Sequence, residues 1–311
     1  MTRAFVFPGQ GSQSVGMQAE LAAEYAVVRD TWAAAGDALG FDLWSLVCDG
    51  PGEKLNETVN TQPAMLTAGV AAWRAWLSDG GPVPAMMSGH SLGEYSALVA
   101  AGVLVFDDAV KLVRRRAELM QGAVPDGAGA MAAILGLDDE AVMAACESAS
   151  ASGIVEAVNF NSPGQVVVAG ERQAVEKLTE VAKEAGARRA MVLPVSVPAH
   201  SSLMRPAGET LAASIDETAF AEPEVTVISS VDGTPYSDAD DVRERIKIQV
   251  YSPVRWVDTI AGMSAKGITS IIECGPGKVL TGLVRRIDRG LDAACIDTED
   301  AIKAATTGAE E

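Results

Sequence analysis

Histidine is nearly missing from this chain: only His90 and His200 stand among its 311 residues. Any histidine-dependent chemistry therefore has two candidates. Cysteine is scarce as well, and Cys48, Cys146, Cys274 and Cys295 lie far apart, with no CxxC and no histidine at metal-ligand spacing. That pattern excludes a zinc ribbon or dithiol motif and leaves reduced, mostly buried thiols, with no metal expected. Cationic residues are also short: 24 Lys and Arg against 42 Asp and Glu leave a formal net charge of −18 with histidine neutral. Such a surface repels phosphate backbones, so nucleic acid is not an expected partner, and any anionic partner needs a local basic patch. No long hydrophobic run opens the chain. In MTRAFVFPGQGSQ only Ala4 to Phe7 are consecutively apolar before Pro8, too few for a signal-peptide core or a membrane span. A cytoplasmic protein without a membrane partner is expected.

What remains is a composition that folds. With 48% hydrophobic and 21% charged residues and a mean hydropathy of +0.17, the chain is neither disordered nor low in complexity. Short apolar runs alternate with longer helical stretches, which marks an α/β protein. The pattern predicts a strand over 4–7 and helices over 18–39 and 63–78. In the second of these, Pro63 suits a first turn, and Leu66, Val70, Trp73 and Leu77 form one apolar stripe. A strand follows over 85–88, with Asp107 as N-cap of a helix reaching Gln121, and VPDGAG reads as a linker. From 131 to 195 the order becomes βαββαβ, with strands at 131–135, 154–160, 165–169 and 189–195 and helices at 138–150 and 171–186. That order is ferredoxin-like and can cover its own sheet. The expected architecture is an α/β-hydrolase-like large domain over 1–125 and 197–311, interrupted by a ferredoxin-like subdomain over 126–196. Beyond the insertion, helices are predicted at 202–218, 240–249, 254–266 and from 278, and strands at 225–230 and 268–273. The last fifteen residues, acidic and rich in Ala and Thr, are expected to fray. Neither glycine-rich stretch passes as a phosphate loop: Gly9-Gln10-Gly11 is followed by Ser14 where a dinucleotide fingerprint has glycine, and Gly275-Pro276-Gly277-Lys278 lacks Walker spacing.

Chemistry concentrates at Gly89-His90-Ser91-Leu92-Gly93, a GxSxG between a short apolar strand and a helical run. That is the context of a nucleophile elbow, in which glycines permit a strained turn, the serine oxygen is displayed, and the next N–H, here that of Leu92, helps form an oxyanion hole. The serine needs a base. His90 is poorly placed, because neighbouring side chains diverge on the elbow. His200, in a loop between the inserted unit and the next helix, is the remaining partner, although it stands 109 residues away. No acidic third member is evident; Asp138 and Glu156 are simply available. A backbone or amide carbonyl could orient the imidazole instead.

Six spaced segments carry a resemblance: FPGQGSQ near the N-terminus, TQPA at 61–64, GHSLGEYSAL at 89–98, VNFNSPGQ at 158–165, SVPAHSSLM at 196–204 and ECGPGKVLTGL at 273–283. Together they resemble the malonyl-CoA:acyl-carrier-protein transacylases, and also the acyltransferase domains of polyketide and fatty-acid synthases. The resemblance implies Ser91 as acyl-accepting nucleophile and His200 as its base. It implies that the Gln10 N–H joins that of Leu92 in the oxyanion hole, and that Arg116 grips the free carboxylate of a malonyl group. It places Gln249 as the residue whose main-chain carbonyl holds the histidine ring, with Gln62 and Asn161 lining the site. The implied partners are malonyl-CoA, as a thioester substrate rather than a cofactor, and acyl carrier protein, with a monomeric enzyme serving fatty-acid or polyketide synthesis.

Physical chemistry supports the arginine: a planar guanidinium clamps a carboxylate with two parallel hydrogen bonds. Consecutive helical residues diverge by about 100°, so Arg114, Arg115 and Arg116 cannot all enter one pocket. The residues alone do not choose among the three. An acidic carrier and polyanionic CoA must dock locally on so negative a chain. Candidate patches are Lys111 with Arg114 and Arg115, Arg188 with Arg189, and Arg285 with Arg286 and Arg289. A serine hydrolase or thioesterase using the same pair, an acyltransferase of a polyketide pathway with a different acyl preference, and a catalytically silent binding module are the competing readings.

Overall fold

The structure, a computed structural model, describes residues 2–195 and 197–307. Among the described residues, nine strands form two separate sheets. The first sheet contains β1 (Arg3–Phe7), β2 (Met86–Gly89), β7 (Thr226–Ile228), β8 (Ser270–Glu273) and β9 (Asp292–Cys295), in the order β7-β2-β1-β8-β9. Every neighbouring pair is parallel. A parallel strand is covered on both faces, which is why Ala4 to Phe7 form an unbroken apolar run, all four fully buried. Parallel register also brings the strands' carboxyl ends to one edge: Phe7 lies opposite Gly89, Val6 opposite Glu273, and Ser88 opposite Ile228. The segments that follow, Pro8 to Gln10, His90 and Ser91, Ser229 and Ser230, and Cys274 to Lys278, therefore emerge side by side. Carboxyl ends of a parallel sheet are where open α/β folds bind ligands.

The second sheet is wholly antiparallel, ordered β4-β5-β3-β6, from β3 (Gly129–Leu135), β4 (Val155–Ser162), β5 (Gln165–Glu171) and β6 (Arg189–Val192). Helices Asp139–Ala149 and Arg172–Glu184 complete the βαββαβ order. Alternation divides its two faces. Ala130, Ala132, Ile134, Val166 and Val168 pack with those helices, whereas Met131, Val158, Val167 and Ala169 form a second cluster with Leu193, Val195 and Ala199. The second face turns toward the carboxyl edge of the parallel sheet. Two backbone bonds stitch the units together there: Val254 N–H to Val158 O at 2.8 Å, and Phe160 N–H to Val254 O at 3.0 Å. The expected boundary at residue 196 falls outside the described residues.

Several elements differ from expectation. The long central helix runs Thr58–Ser78, so Pro63 lies inside it rather than in its first turn. Proline cannot donate to the carbonyl four residues back. That carbonyl, Val59 O, instead accepts Arg114 Nη1 at 2.8 Å, which leaves Arg114 half-buried and already engaged. Within the same helix Leu77 is exposed, while Trp73 and Trp76 enclose Phe5 at ring distances of 5.5 and 5.2 Å. The predicted helix over 18–39 breaks at Tyr25 into Ala19–Glu24 and Ala26–Leu39. Asp107 lies in the first turn of Phe106–Gln121, whose N-cap is Val105. No described helix is long and apolar enough to cross a membrane.

The chain end is the clearest correction. Instead of fraying, residues 299–307 form a helix docked on the large unit through the fully buried Ile302; residues 308–311 lie outside the described residues. The apolar period there is short and diluted by Ala and Thr, so composition hides it. Ile302→Ala should lower stability by about 2 to 4 kcal/mol, measured by urea unfolding; a loss below about 0.5 kcal/mol, the range of ordinary surface changes, would mean the helix does not dock.

Candidate active site

Ser91 occupies a left-handed backbone conformation, φ 52°, at the sharp turn from β2 into the helix Gly93–Ala100. Such a φ costs a non-glycine residue on the order of 1 to 3 kcal/mol and persists only where its surroundings impose it. The two flanking glycines impose it by close approach. A Cβ on Gly89 would stand 1.9 Å from Gly93 C, and one on Gly93 would stand 2.0 Å from Phe7 O. The elbow therefore sits directly on the end of β1.

His200, also at positive φ (68°), reaches the serine from outside the parallel sheet: its Nε2 lies 2.6 Å from Ser91 Oγ. Its Nδ1 lies 3.0 Å from both Gln249 O and Ser252 O. A carbonyl only accepts, so Nδ1 carries the proton and the Nε2 lone pair faces the serine. Burial, and next the Arg116 charge, lower the His200 pKa to about 3, against the pull of those carbonyls. The ring is thus neutral, with a free lone pair facing the nucleophile. The carboxylates available in the sequence are engaged elsewhere: Asp138 caps the helix Asp139–Ala149, and Glu156 Oε2 accepts Ser202 N–H at 2.6 Å. His90 turns away from the serine, with its Nε2 2.7 Å from Asn161 Oδ1 and its ring on Trp256.

Of the three consecutive arginines, only Arg116 is buried. Arg115 is exposed beside Glu118, and Arg114 is held by Val59 O and Asn60 Oδ1. Arg116 Nη1 donates to Gln62 Oε1 at 2.7 Å, and Nη2 to Gln249 Oε1 at 3.0 Å and to Ser91 Oγ at 3.4 Å. No carboxylate lies within ion-pair distance among the described residues, and Nε has no acceptor. Burial lowers its proton affinity, yet a guanidinium stays charged in a protein. A cation next to the nucleophile thus has only neutral partners.

A cavity of about 530 Å³ opens over these groups, between the elbow, Gln10, the second face of the antiparallel sheet and the helix Val279–Ile287. Gln10 and Leu92 both line it, and neither N–H is donated to another group among the described residues. Their loops touch: a Cβ on Gly9 would stand 2.5 Å from His90 O and 3.8 Å from Leu92 N. Two residues of this constellation escape a reading of the sequence. Ser252 acts only through its main-chain oxygen, which no side-chain pattern reports. Glu94, directly after the elbow, is fully buried and bonded to Gln249 Nε2 at 2.6 Å; its place in GHSLGE was the only available signal.

The profile of the acyl transferase domain family matches residues 4–305. The malonyl CoA-acyl carrier protein transacylase of Salmonella typhimurium is 53% identical over 304 residues, covering 98% of each chain. The Bacillus subtilis protein of the same name is 44% identical over 303 residues, 97% of this chain and 95% of its own. Among solved structures, an acyl carrier protein S-malonyltransferase from Vibrio cholerae superposes with a TM-score of 0.95 at 53% identity, covering 98% of this chain and 99% of that one. A malonyl-transacylase in complex with a type II PKS acyl-carrier protein superposes with a TM-score of 0.98 at 49% identity, covering 99% of this chain and 100% of that one.

The basic form of the His200 ring persists as pH falls through 6.5, where an ordinary histidine takes up its proton. Modification of Ser91 by an organophosphorus reagent should therefore keep its rate from pH 8 to about pH 5. A titration centred near 6.5 would contradict the assigned environment.

Proposed function

The chain belongs to the acyl transferase domain family, and we propose that it moves a malonyl group from CoA to the phosphopantetheine thiol of an acyl carrier protein through a malonyl ester on Ser91. The observation that carries this reading is Arg116: a buried guanidinium, 3.4 Å from the nucleophile and without a carboxylate of its own. It suits an acyl group bearing one.

In the first half-reaction His200 Nε2 takes the Ser91 proton while Oγ attacks the thioester carbonyl. The oxyanion is held by the N–H groups of Gln10 and Leu92. The carbon–sulfur bond breaks, and the CoA thiolate takes the proton from His200. In the second half the carrier thiol gives its proton to His200 and attacks the ester carbonyl, and Ser91 Oγ leaves with that proton. Gln249 O and Ser252 O hold the imidazole throughout in the place of a triad acid. Gln62 and Gln249 hold Arg116, and Asn161 holds His90. These steps call for no cofactor.

On this reading the large unit, residues 1–125 and 197–311, is α/β-hydrolase-like at its elbow, and the ferredoxin-like unit over 126–196 walls the cavity against water. The protein works as a cytoplasmic monomer, with neither membrane nor nucleic acid as partner. Docking falls on the basic rim where the units meet. Arg286 Nη1 donates to Gln165 Oε1 at 2.6 Å, and Gln165 lines the cavity mouth. Gln165 pairs with Leu135, which pairs with Arg189, so exposed arginines flank one end of the antiparallel sheet. An acidic carrier meets positive charge there despite the net −18.

Intact-protein mass after brief exposure to malonyl-CoA should show a malonyl adduct that is absent in Ser91→Ala and that moves to an added phosphopantetheinylated carrier. Loss of the adduct to water alone would favour a hydrolase, and no adduct at all would leave a silent binding module. In the same experiment, charge reversal at Arg188 and Arg189 should slow only the second transfer; equal slowing of both would remove the docking assignment. Arg116→Ala should cut malonyl acylation by roughly a hundredfold relative to acetyl, the worth of a buried charge-assisted pair. An unchanged preference would mean that another group holds the carboxylate.

A further inference from the structure

Glu94 stands in the first turn of the elbow helix, fully buried, with no cationic side chain in contact among the described residues. Its Oε1 accepts from Ser230 N–H at 2.9 Å and from Tyr236 OH at 2.7 Å. Its Oε2 accepts from Ser230 Oγ at 2.8 Å and from Gln249 Nε2 at 2.6 Å. Four donors on two oxygens match the acceptor capacity of a carboxylate. Burial raises the Glu94 pKa above the ordinary carboxylate value, and the hydrogen bonds from Tyr236, Gln249 and Ser230 oppose that shift.

The Gln249 amide lies between this carboxylate and the active-site cation. Its Nε2 donates to Glu94 and also to Ser91 O at 2.9 Å, while its Oε1 accepts from Arg116 Nη2 at 3.0 Å. On the far side two acceptors, the Glu94 carboxylate and the Ser91 carbonyl, hold the nitrogen, with Glu94 at the shorter distance, and the oxygen is left to face Arg116. We propose that Glu94 is a positioning residue for acyl selection, whose carboxylate orients the Gln249 amide so that an oxygen meets Arg116 while the guanidinium stays free for the substrate carboxylate. The inference rests on Arg116 being that carboxylate's site. A carboxylate placed directly on Arg116 would compete with the substrate, and none nearby would leave a buried cation uncompensated. Holding the negative charge one amide away avoids both outcomes.

Glu94→Gln keeps the shape and exposes the logic. Ser230 N–H can only donate, so the oxygen of the new amide must stay at the Oε1 position, and its nitrogen then faces Gln249 Nε2. Two donors meet, Gln249 loses its shorter far-side bond and keeps only the Ser91 carbonyl there, and its oxygen is no longer held firmly on Arg116. Tyr236→Phe is the control, because it removes a donor to the same carboxylate without touching Gln249.

The experiment measures Ser91 acylation rates with malonyl-CoA and acetyl-CoA in each folded variant. In Glu94→Gln the malonyl-to-acetyl ratio should fall by about tenfold or more, the loss expected when a hydrogen bond to a charged group is broken, while Tyr236→Phe keeps the parental ratio. An unchanged ratio in Glu94→Gln overturns the proposal, as does an equal fall in both variants, which would signify general loosening. If Glu94→Gln does not fold, Gln249→Met replaces it. That variant removes the amide but keeps the main-chain carbonyl on His200, and it should show the same selective fall; a retained ratio overturns the proposal. Arg116→Ala separates the two levels. If it keeps malonyl preference, the reading of the site fails; if it loses preference while Glu94→Gln keeps it, only the role of Glu94 fails.

Discussion

Among the described residues the Arg116 guanidinium is buried with no carboxylate against it, and the surrounding side chains are arranged around that cost. A desolvated charge normally demands a direct counter-ion, and breaking such a pair leaves a penalty of several kcal/mol. Here the compensation is distributed. Gln62 and Gln249 offer amide oxygens, the Tyr95 ring lies 5.6 Å from the guanidinium carbon, and the Glu94 charge sits beyond Gln249. Each contact is weaker than an ion pair, so the cation keeps affinity for an incoming anion. The interior helix Thr58–Ser78 supplies Gln62, the elbow helix supplies Tyr95 and Glu94, and the helix Ala239–Gln249 supplies its last residue. Three elements distant in sequence are thereby tied to one group on a fourth.

The catalytic pair depends on backbone geometry more than on side-chain chemistry. Gly93 can have no Cβ because the elbow lies against the end of β1, a contact that follows from the parallel pairing of Phe7 with Gly89, and Gly89 can have none because the chain folds back on it at Gly93 and Glu94. The same pairing carries Pro8-Gly9-Gln10 alongside Leu92, so two N–H groups left without acceptors are brought to one cavity. His200 is fixed by carbonyls, with its own N–H donating to Val250 O at 3.0 Å. A neutral histidine held by two carbonyls needs no acid to set its tautomer, so the missing third carboxylate is no defect.

Legibility follows from these causes. Ser91 could be read because an elbow needs glycines at fixed offsets, and His200 because the chain holds no other usable imidazole. The inserted sheet could be read because its strands alternate and its helices repeat within one continuous stretch. Gln249 was reached only through resemblance, since a main-chain carbonyl imposes nothing on its own side chain. Arg116 could not be separated from its two neighbours by composition. Burial distinguishes it, and burial there is decided by the Thr58–Ser78 helix packed against Phe106–Gln121, a tertiary contact that local pattern does not encode. The C-terminal helix was missed because a single isoleucine among alanines and threonines carries its docking. Pro63 misled for a similar reason: the carbonyl it leaves free finds Arg114, which lies 51 positions further along the chain.

One consequence ties selection to rate. The Arg116 charge is second only to burial in opposing protonation of His200. On the malonyl reading, a substrate carboxylate resting on Arg116 offsets that charge, and the proton affinity of His200 rises at the moment Ser91 must lose its proton. An acetyl group occupies the cavity without offsetting the charge, so the base stays weaker while the oxyanion hole is equally available. The arginine then favours the dicarboxylic acyl group twice, once by holding it and once by releasing the base it otherwise suppresses. The second contribution appears in the chemical step rather than in ground-state binding. It requires a guanidinium that carries full charge before substrate arrives, which is the condition that its neutral partners and the withdrawn Glu94 carboxylate together maintain.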